Sequence, residues 1–438
     1  MKILRMAAVG AVAALALTAC STNSNTGTGS TTPAAAPTTT TAAAPAPGAI
    51  RVWFVGTDTP QNARDYLKTT FEAQNPGSTL TIEEQTWTGL VDKYTTALSG
   101  SDAPDLVEIG NTQAAGFTSA GAFLDLTDKK AELGGSDLLP GFVEAGSYGG
   151  KFYAAPYYSG ARVVTITKSI VPADKAAPKT WDEYLANAKA LTTSKVSGMW
   201  MPGKDWRDGM TFVWVNGGQI ATQGSDGKWK AGFESDAAIK GLTQFQDITK
   251  NANHAPTDAT EGNQQVPFCA GQVAYLPAPS WIKWSINAKE DAKVPGCGST
   301  LGADDQLTAF AAPGLTAGTF APVFAGGSNI AIPAKSAHPE LAYKALQIVL
   351  SDDYQKLLAA NGMVPAKISQ AKFLPTDAFS QAAANAAASA ILTPASPKWA
   401  DVEASQVLED SFSKIAQGQD VKTVAADLDA KINATLNG

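Results

Sequence analysis

Histidine is nearly missing from this chain, with His254 and His338 the two in 438 residues, and cysteine stops at three. Two isolated histidines are thin material for a catalytic triad. With two spare cysteines they do not readily make a four-ligand zinc site. No apolar run after the first twenty residues approaches the roughly twenty needed for a membrane helix. Clustered Lys and Arg are missing too. Setting Lys2 and Arg5 aside from 33 basic residues leaves 31 against 40 acidic ones, a net charge near −9. That excludes a polybasic grip on nucleic acid or anionic lipid. A solenoid or propeller repeat is not found, and neither is a G-x-S-x-G elbow. S-x-x-K occurs at Ser280–Lys283 and Ser411–Lys414, but the S-D-N and K-T-G companions that would complete its chemistry occur nowhere. Asp205 and Asp208 beside Trp206 are candidates for glycoside hydrolysis, yet nothing in the sequence sets them on opposite sides of a cleft. The chain is expected to be a binding protein rather than an enzyme, with no cofactor and no metal.

What is present begins with a signal. Lys2 and Arg5 precede an apolar run from Ala7 to Leu17, and Leu17-Thr18-Ala19-Cys20 looks like a bacterial lipobox. Residues 1–19 are then a lipoprotein signal peptide and Cys20 is lipidated; the alternative is an ordinary cleavage site with a chance cysteine. Ser21 to Gly48 is Ser, Thr, Ala, Pro, Gly and Asn without a charge, so residues 20–48 read as a disordered tether. About 390 residues remain, too many for one ordinary core and suited to two lobes. Outside the cell, Cys269 and Cys297 are expected to form a disulfide, two buried thiols being the alternative.

Along the chain, Ile50–Val55, Thr79–Gln85 and Asp105–Ile109 read as strands separated by amphipathic helices, with Ala63, Tyr66, Leu67, Thr70 and Phe71 on one face of the first. This is the βαβ pattern of a parallel sheet, whose ligand crevices lie at the carboxyl ends of strands. Trp87 and the cluster Asn111, Thr112 and Gln113 fall there. Lys151–Ser169 breaks the rhythm: Pro156 and Gly160 flank Tyr157-Tyr158, a new strand starts at Arg162, and the segment reads as a crossing into a second lobe. Tyr158 is preferred over Tyr157 as the residue facing the cleft, and Arg162 is expected to pair with a carboxylate near the hinge. Thr180-Trp181-Asp182-Glu183 is a capping box, and Asn216–Phe233 a hairpin about Asp226-Gly227. In Gly271–Trp284 a short apolar strand ends just before Trp281, whose indole face could hold the apolar face of a sugar ring. Trp206 is a further aromatic candidate. Pro313–Phe320 suits a return crossing, Gly327 and Ser328 lie in a glycine turn that could offer amides to a ligand, and Gly362–Pro365 suits a third crossing.

Taken together, Gly150-Lys151-Phe152-Tyr153 with Pro156-Tyr157-Tyr158, Pro178–Glu183, the Asp226-Gly227 hairpin and Gly326–Pro333 resemble the extracellular solute-binding proteins of bacterial ABC sugar importers, the family that includes maltose-binding protein. The resemblance covers nearly the whole mature chain. It implies an α/β, two-lobe periplasmic-binding-protein-like fold of type II with the cleft at a three-segment hinge. The N-terminal lobe is expected from residues 49–157 plus 313–365 and the C-terminal lobe from 158–312 plus 366–438. It implies a sugar ligand, delivery to the transmembrane subunits of an ABC permease, and a monomer held by its lipid at the extracellular face of the cytoplasmic membrane. Trp281 and Trp399 match stacking tryptophans of the family. Thr112 and Gln113 stand where maltose-binding protein has an acidic residue and an arginine. The same scaffold carrying a peptide, polyamine or glycerophosphodiester is the alternative.

Overall fold

The computed structural model describes residues 45–438 apart from 57, 88, 291–294 and 299–306. The expected signal peptide, Cys20 and the expected tether up to residue 44 lie outside the described residues.

Ala49–Val55 pairs in parallel with Thr79–Gln85 on one side and Leu106–Gly110 on the other, because helices Gln61–Gln74 and Leu90–Ser99 carry the chain back between strands. Successive residues of the first strand enter different cores. Ile50, Val52 and Phe54 pack with Ala63, Leu67 and Phe71 of the first helix; Trp53 and Val55 pack with Leu90, Tyr94 and Leu98 of the second. This is the period-two alternation of a strand covered on both faces. Ala325–Ala331 continues the sheet, antiparallel to Leu106–Gly110.

Next comes Ala154–Thr167, fourteen residues, all buried. Its first half pairs with Ala325–Ala331 and Val364–Pro365, its second half with Val273–Pro279 and Leu307–Phe310. One strand therefore belongs to both lobes. The break expected at Pro156 and Gly160 is not there. Pro156 has no N–H to give the ladder, and the register shifts opposite it, between Ser328 and Asn329, leaving Tyr157 as the extra residue of a bulge.

The second lobe gathers its own core, in which Val273, Tyr275 and Leu276 meet Trp181, Phe212, Phe245, Phe412 and Leu428 from the surrounding helices. The Glu183 N–H donates to the Thr180 hydroxyl at 3.3 Å, and the Glu183 carboxylate accepts from Lys179 N, so the expected capping box forms with its return bond one residue earlier. Ala221–Gln223 and Trp229–Ala231 make the expected hairpin, with Gly227 at φ 80° in its turn. A disulfide joins Cys269 and Cys297, whose Cα atoms are 4.9 Å apart. The return crossing comes later than Pro313–Phe320. Gly314 O accepts from Trp181 N and Ala311, Ala312, Ala321, Val323 and Phe324 all pack in the second core, so the chain changes lobes at Ala325–Gly327.

Candidate functional site

The carboxyl ends of Ala49–Val55 and Leu106–Gly110, the middle of Ala154–Thr167 and the end of Val273–Pro279 border a cavity of about 420 Å³. On the first lobe it is lined by Asp58, Trp87, Asn111, Thr112, Gln113, Tyr158 and Ser328. Asn111 starts a helix, Asn111–Ser119, rather than a loop. Its amide is already engaged, donating to Ala325 O at 2.8 Å and accepting from Thr112 N at 3.0 Å. Gln113 differs: its amide oxygen is buried without a partner. Asp58 Oδ2 lies 3.4 Å from Trp87 Nε1 and 3.5 Å from the Tyr158 hydroxyl. Burial raises its pKa, against the lowering pull of those two donors. Tyr158 and Ser328 turn their hydroxyls inward to Glu108, at 2.9 and 2.7 Å. Tyr157, one step along the strand, points the other way and bonds Thr59 and Tyr354. Gly327 lines the cavity at φ 130°, backbone that favours glycine.

The opposite wall holds Trp281, Trp284, Phe324, Arg162, Arg207, Glu261 and Glu403. Trp281 and Trp284 keep 39 and 38 % of their surface exposed, and Trp87 across from them 42 %. Both tryptophans of the Gly271–Trp284 stretch therefore face the cavity, where Trp281 alone is expected from the sequence. Arg162 is paired as expected, to Asp208 at 2.5 Å and Glu261 at 2.6 Å, with Asp205 at 3.9 Å. Arg207 lies 3.6 Å from both Glu261 and Glu403. Burial acts against the charge on Glu261, yet Arg162 and Arg207 hold its pKa below the ordinary value. Burial together with Asp208 and Glu261 pushes Asp205 well above it. Each guanidinium is paired, Arg162 to Asp208 and Glu261 and Arg207 to Glu261 and Glu403, so the cluster presents no free cation to the cavity. Asp205, Asp208 and Glu261 are close enough to hold a metal ion, but the Arg162 guanidinium already serves as their counter-charge.

Two expected residues are corrected. Trp206 and Trp399 are fully buried and do not reach the cavity. Each begins a helix, Trp206–Val215 and Trp399–Ala404, and its indole turns into the second core. Trp206 donates to Glu409 at 3.0 Å and sits edge-on to Phe324, with Arg207 4.6 Å over its ring, so it backs two residues that do line the cavity. Asp205 and Asp208 are buried side by side rather than set across a cleft. Asp58, Arg207, Glu261 and Glu403 line the cavity, and Glu108 lies behind it, without being expected from the sequence. Asp58 and Glu108 had a signal, one just past the first strand and the other a lone charge in an apolar strand. Glu261 and Glu403 had none, since only the folded chain brings them to Arg207.

Residues 56–356 match the family described as bacterial extracellular solute-binding protein. The diacetylchitobiose binding protein DasA of Streptomyces coelicolor is 31 % identical over 398 residues, covering 88 % of this chain and 89 % of that protein. Among solved structures, the GacH receptor of Streptomyces glaucescens superposes with a TM-score of 0.74 at 18 % identity, covering 90 % of this chain and 99 % of GacH. The sugar-binding protein MalE of Xanthomonas citri does so with 0.75 at 19 %, covering 89 % and 97 %. At such identities the likeness concerns the fold, which is the two-lobe, type II periplasmic-binding-protein fold. With the cleft at the lobe crossing and most of its length matched, the chain belongs to the family of bacterial extracellular solute-binding proteins.

Proposed function

We propose that this chain captures a mono- or oligosaccharide between its lobes for an ABC importer, without chemical turnover. It is a monomer tethered by a lipid on Cys20 at the outer face of the cytoplasmic membrane, and it passes the sugar to the permease's transmembrane subunits. The observation that carries this reading is the set of three half-open indoles, Trp87, Trp281 and Trp284, around one cavity. Ring faces of this kind hold the apolar faces of sugars. Between them Thr112 and Gln113 offer neutral groups to hydroxyls, and the Gln113 oxygen has no other partner. A phosphate ligand would draw on a free cation or a helix N-terminus, and both cleft arginines are spent on carboxylates. DasA is named for diacetylchitobiose, and GacH has been crystallised with acarbose; both ligands are carbohydrates or close analogues. Ligand shifts the lobes toward closure because only then do both walls touch it.

The test is a thermal-shift screen of mono- and oligosaccharides, diacetylchitobiose first, followed by calorimetry and small-angle scattering. A binding sugar raises the melting temperature and shrinks the radius of gyration. Stabilisation by a peptide or polyamine with none by any sugar would replace the ligand class.

A further inference from the structure

Glu108 lies directly beneath the first wall and never reaches the cavity. It is fully buried, and its carboxyl group gathers three strands: Val55 N–H donates to Oε2 at 2.9 Å, and the hydroxyls of Ser328 and Tyr158 reach Oε1 at 2.7 and 2.9 Å. Those two hydroxyls belong to residues that line the cavity. The other titratable groups around it are accounted for. Asp58 is 3.5 Å from the Tyr158 hydroxyl, Tyr94 donates to the Glu108 carbonyl, and Tyr157 and Tyr354 bond each other. Arg64 spends its guanidinium on Thr59 O, Gly56 O and Glu84. Among the described residues no cation pairs with Glu108.

A hydroxyl has one proton to give. While Glu108 is ionised it only accepts, so Tyr158 and Ser328 both donate inward. When Glu108 takes a proton from solvent, its own O–H donates to one of these hydroxyls. That hydroxyl's hydrogen is then released toward Asp58 or the cavity. One proton on a group the ligand never touches thus redirects one of the wall's hydroxyls. We propose that Glu108 is a positioning residue that decides whether the Tyr158 and Ser328 hydroxyls both donate inward or one of them is freed to donate toward Asp58 or the cavity, and that it thereby makes affinity depend on pH. The inference rests on the reading of this cavity as the sugar site. Burial, opposed by the bonds from Val55 and Ser328 and reinforced by Asp58, pushes the Glu108 carboxyl up to about 7, so both states are populated near neutrality.

The experiment has a ligand-free arm and a ligand arm. In protein labelled with ¹³C at glutamate carboxyls, one resonance titrates within about one unit of 7 and is missing from Glu108→Gln. Calorimetry with N,N′-diacetylchitobiose and with maltotriose between about pH 5.5 and 8.5 then shows at least about a fivefold change in Kd for the sugar that binds, with the same midpoint. Glu108→Gln and, independently, Tyr158→Phe flatten that profile to less than about twofold. A carboxyl titrating below about 5, or a pH profile that survives in both variants, overturns the role of Glu108 and leaves the sugar reading standing. No binding of any sugar in the thermal-shift screen at any pH, with the carboxyl still titrating near 7, removes the sugar reading and this inference with it.

Discussion

Trp281 holds its place because two glycines make room for it. A Cβ added at Gly160 would lie 2.5 Å from Trp281 Cε3, and one added at Gly326 would lie 2.7 Å from Cη2. Carbon atoms pack at about 3.5 Å or more, so Gly160→Ala must drive the ring back by about 1 Å and Gly326→Ala by somewhat less. Neither glycine is among those with positive φ, so alanine fits the backbone and the perturbation is steric. If the indole stacks on a sugar, its loss costs roughly 1 to 3 kcal/mol by analogy with stacking on bases. Gly160→Ala should forfeit much of that, weakening binding by about 5- to 100-fold, and Gly326→Ala should forfeit less. Calorimetry with the sugar found by thermal shift measures this, with circular dichroism to show that the variants are folded. The decisive comparison is a double-mutant cycle. In a Trp281→Ala background the Gly160→Ala change should alter affinity by less than about twofold, because the displaced ring is gone. Wild-type affinity in Gly160→Ala, or an equal loss with and without Trp281, would refute the reasoning.

Trp399→Ala, at a fully buried site, should cost about 3 to 5 kcal/mol of stability in denaturant unfolding, while the folded fraction still binds sugar. Arg162→Met strands Asp208 and Glu261 without their nearest guanidinium and should destabilise by about 3 to 5 kcal/mol; because stranded carboxylates can take up protons, melting temperatures should show a smaller loss near pH 5 than near pH 8. Glu108, raised from the ordinary 4.5 to about 7 in the fold, contributes stability that is whole below about 4.5 and is lost as pH rises through 7. Glu108→Gln should remove that slope, worth roughly 3 kcal/mol, and a wild-type stability curve that is flat over this range would contradict the burial argument.

Much of the fold is legible because it depends on local rules. Ile50, Val52 and Phe54 against Trp53 and Val55 announce a strand covered on both faces, and Thr180 and Ser235 each cap the helix that follows, accepting from Glu183 N and Ala238 N. Cys269 and Cys297 left little choice of partner, and the disulfide joins them. The lobe crossings were less legible. Pro156 looked like a break because a proline cannot donate to a ladder, and only the pairing with Ala325–Ala331 shows the register giving way instead. Tryptophan positions split along the same line. Trp281 and Trp87 follow strand ends, where chain direction places them at the crevice. Trp206 and Trp399 begin helices, and which way a helix turns its first residue depends on what packs against it.

By itself, then, the sequence determined the βαβ order of the first lobe, the caps, the disulfide and the placing of Trp281 at the mouth of a cleft, since each follows from short-range periodicity and chain direction. Tertiary structure alone decided the site's electrostatics. Arg162, Arg207, Asp208, Glu261 and Glu403 come from four separate stretches and meet only when the chain is packed. Likewise Glu108 acquires its raised pKa from burial among Val55, Tyr158 and Ser328. Hydrophobic pattern travels with the chain, but the energy of a charge depends on what surrounds it, and that exists only after folding.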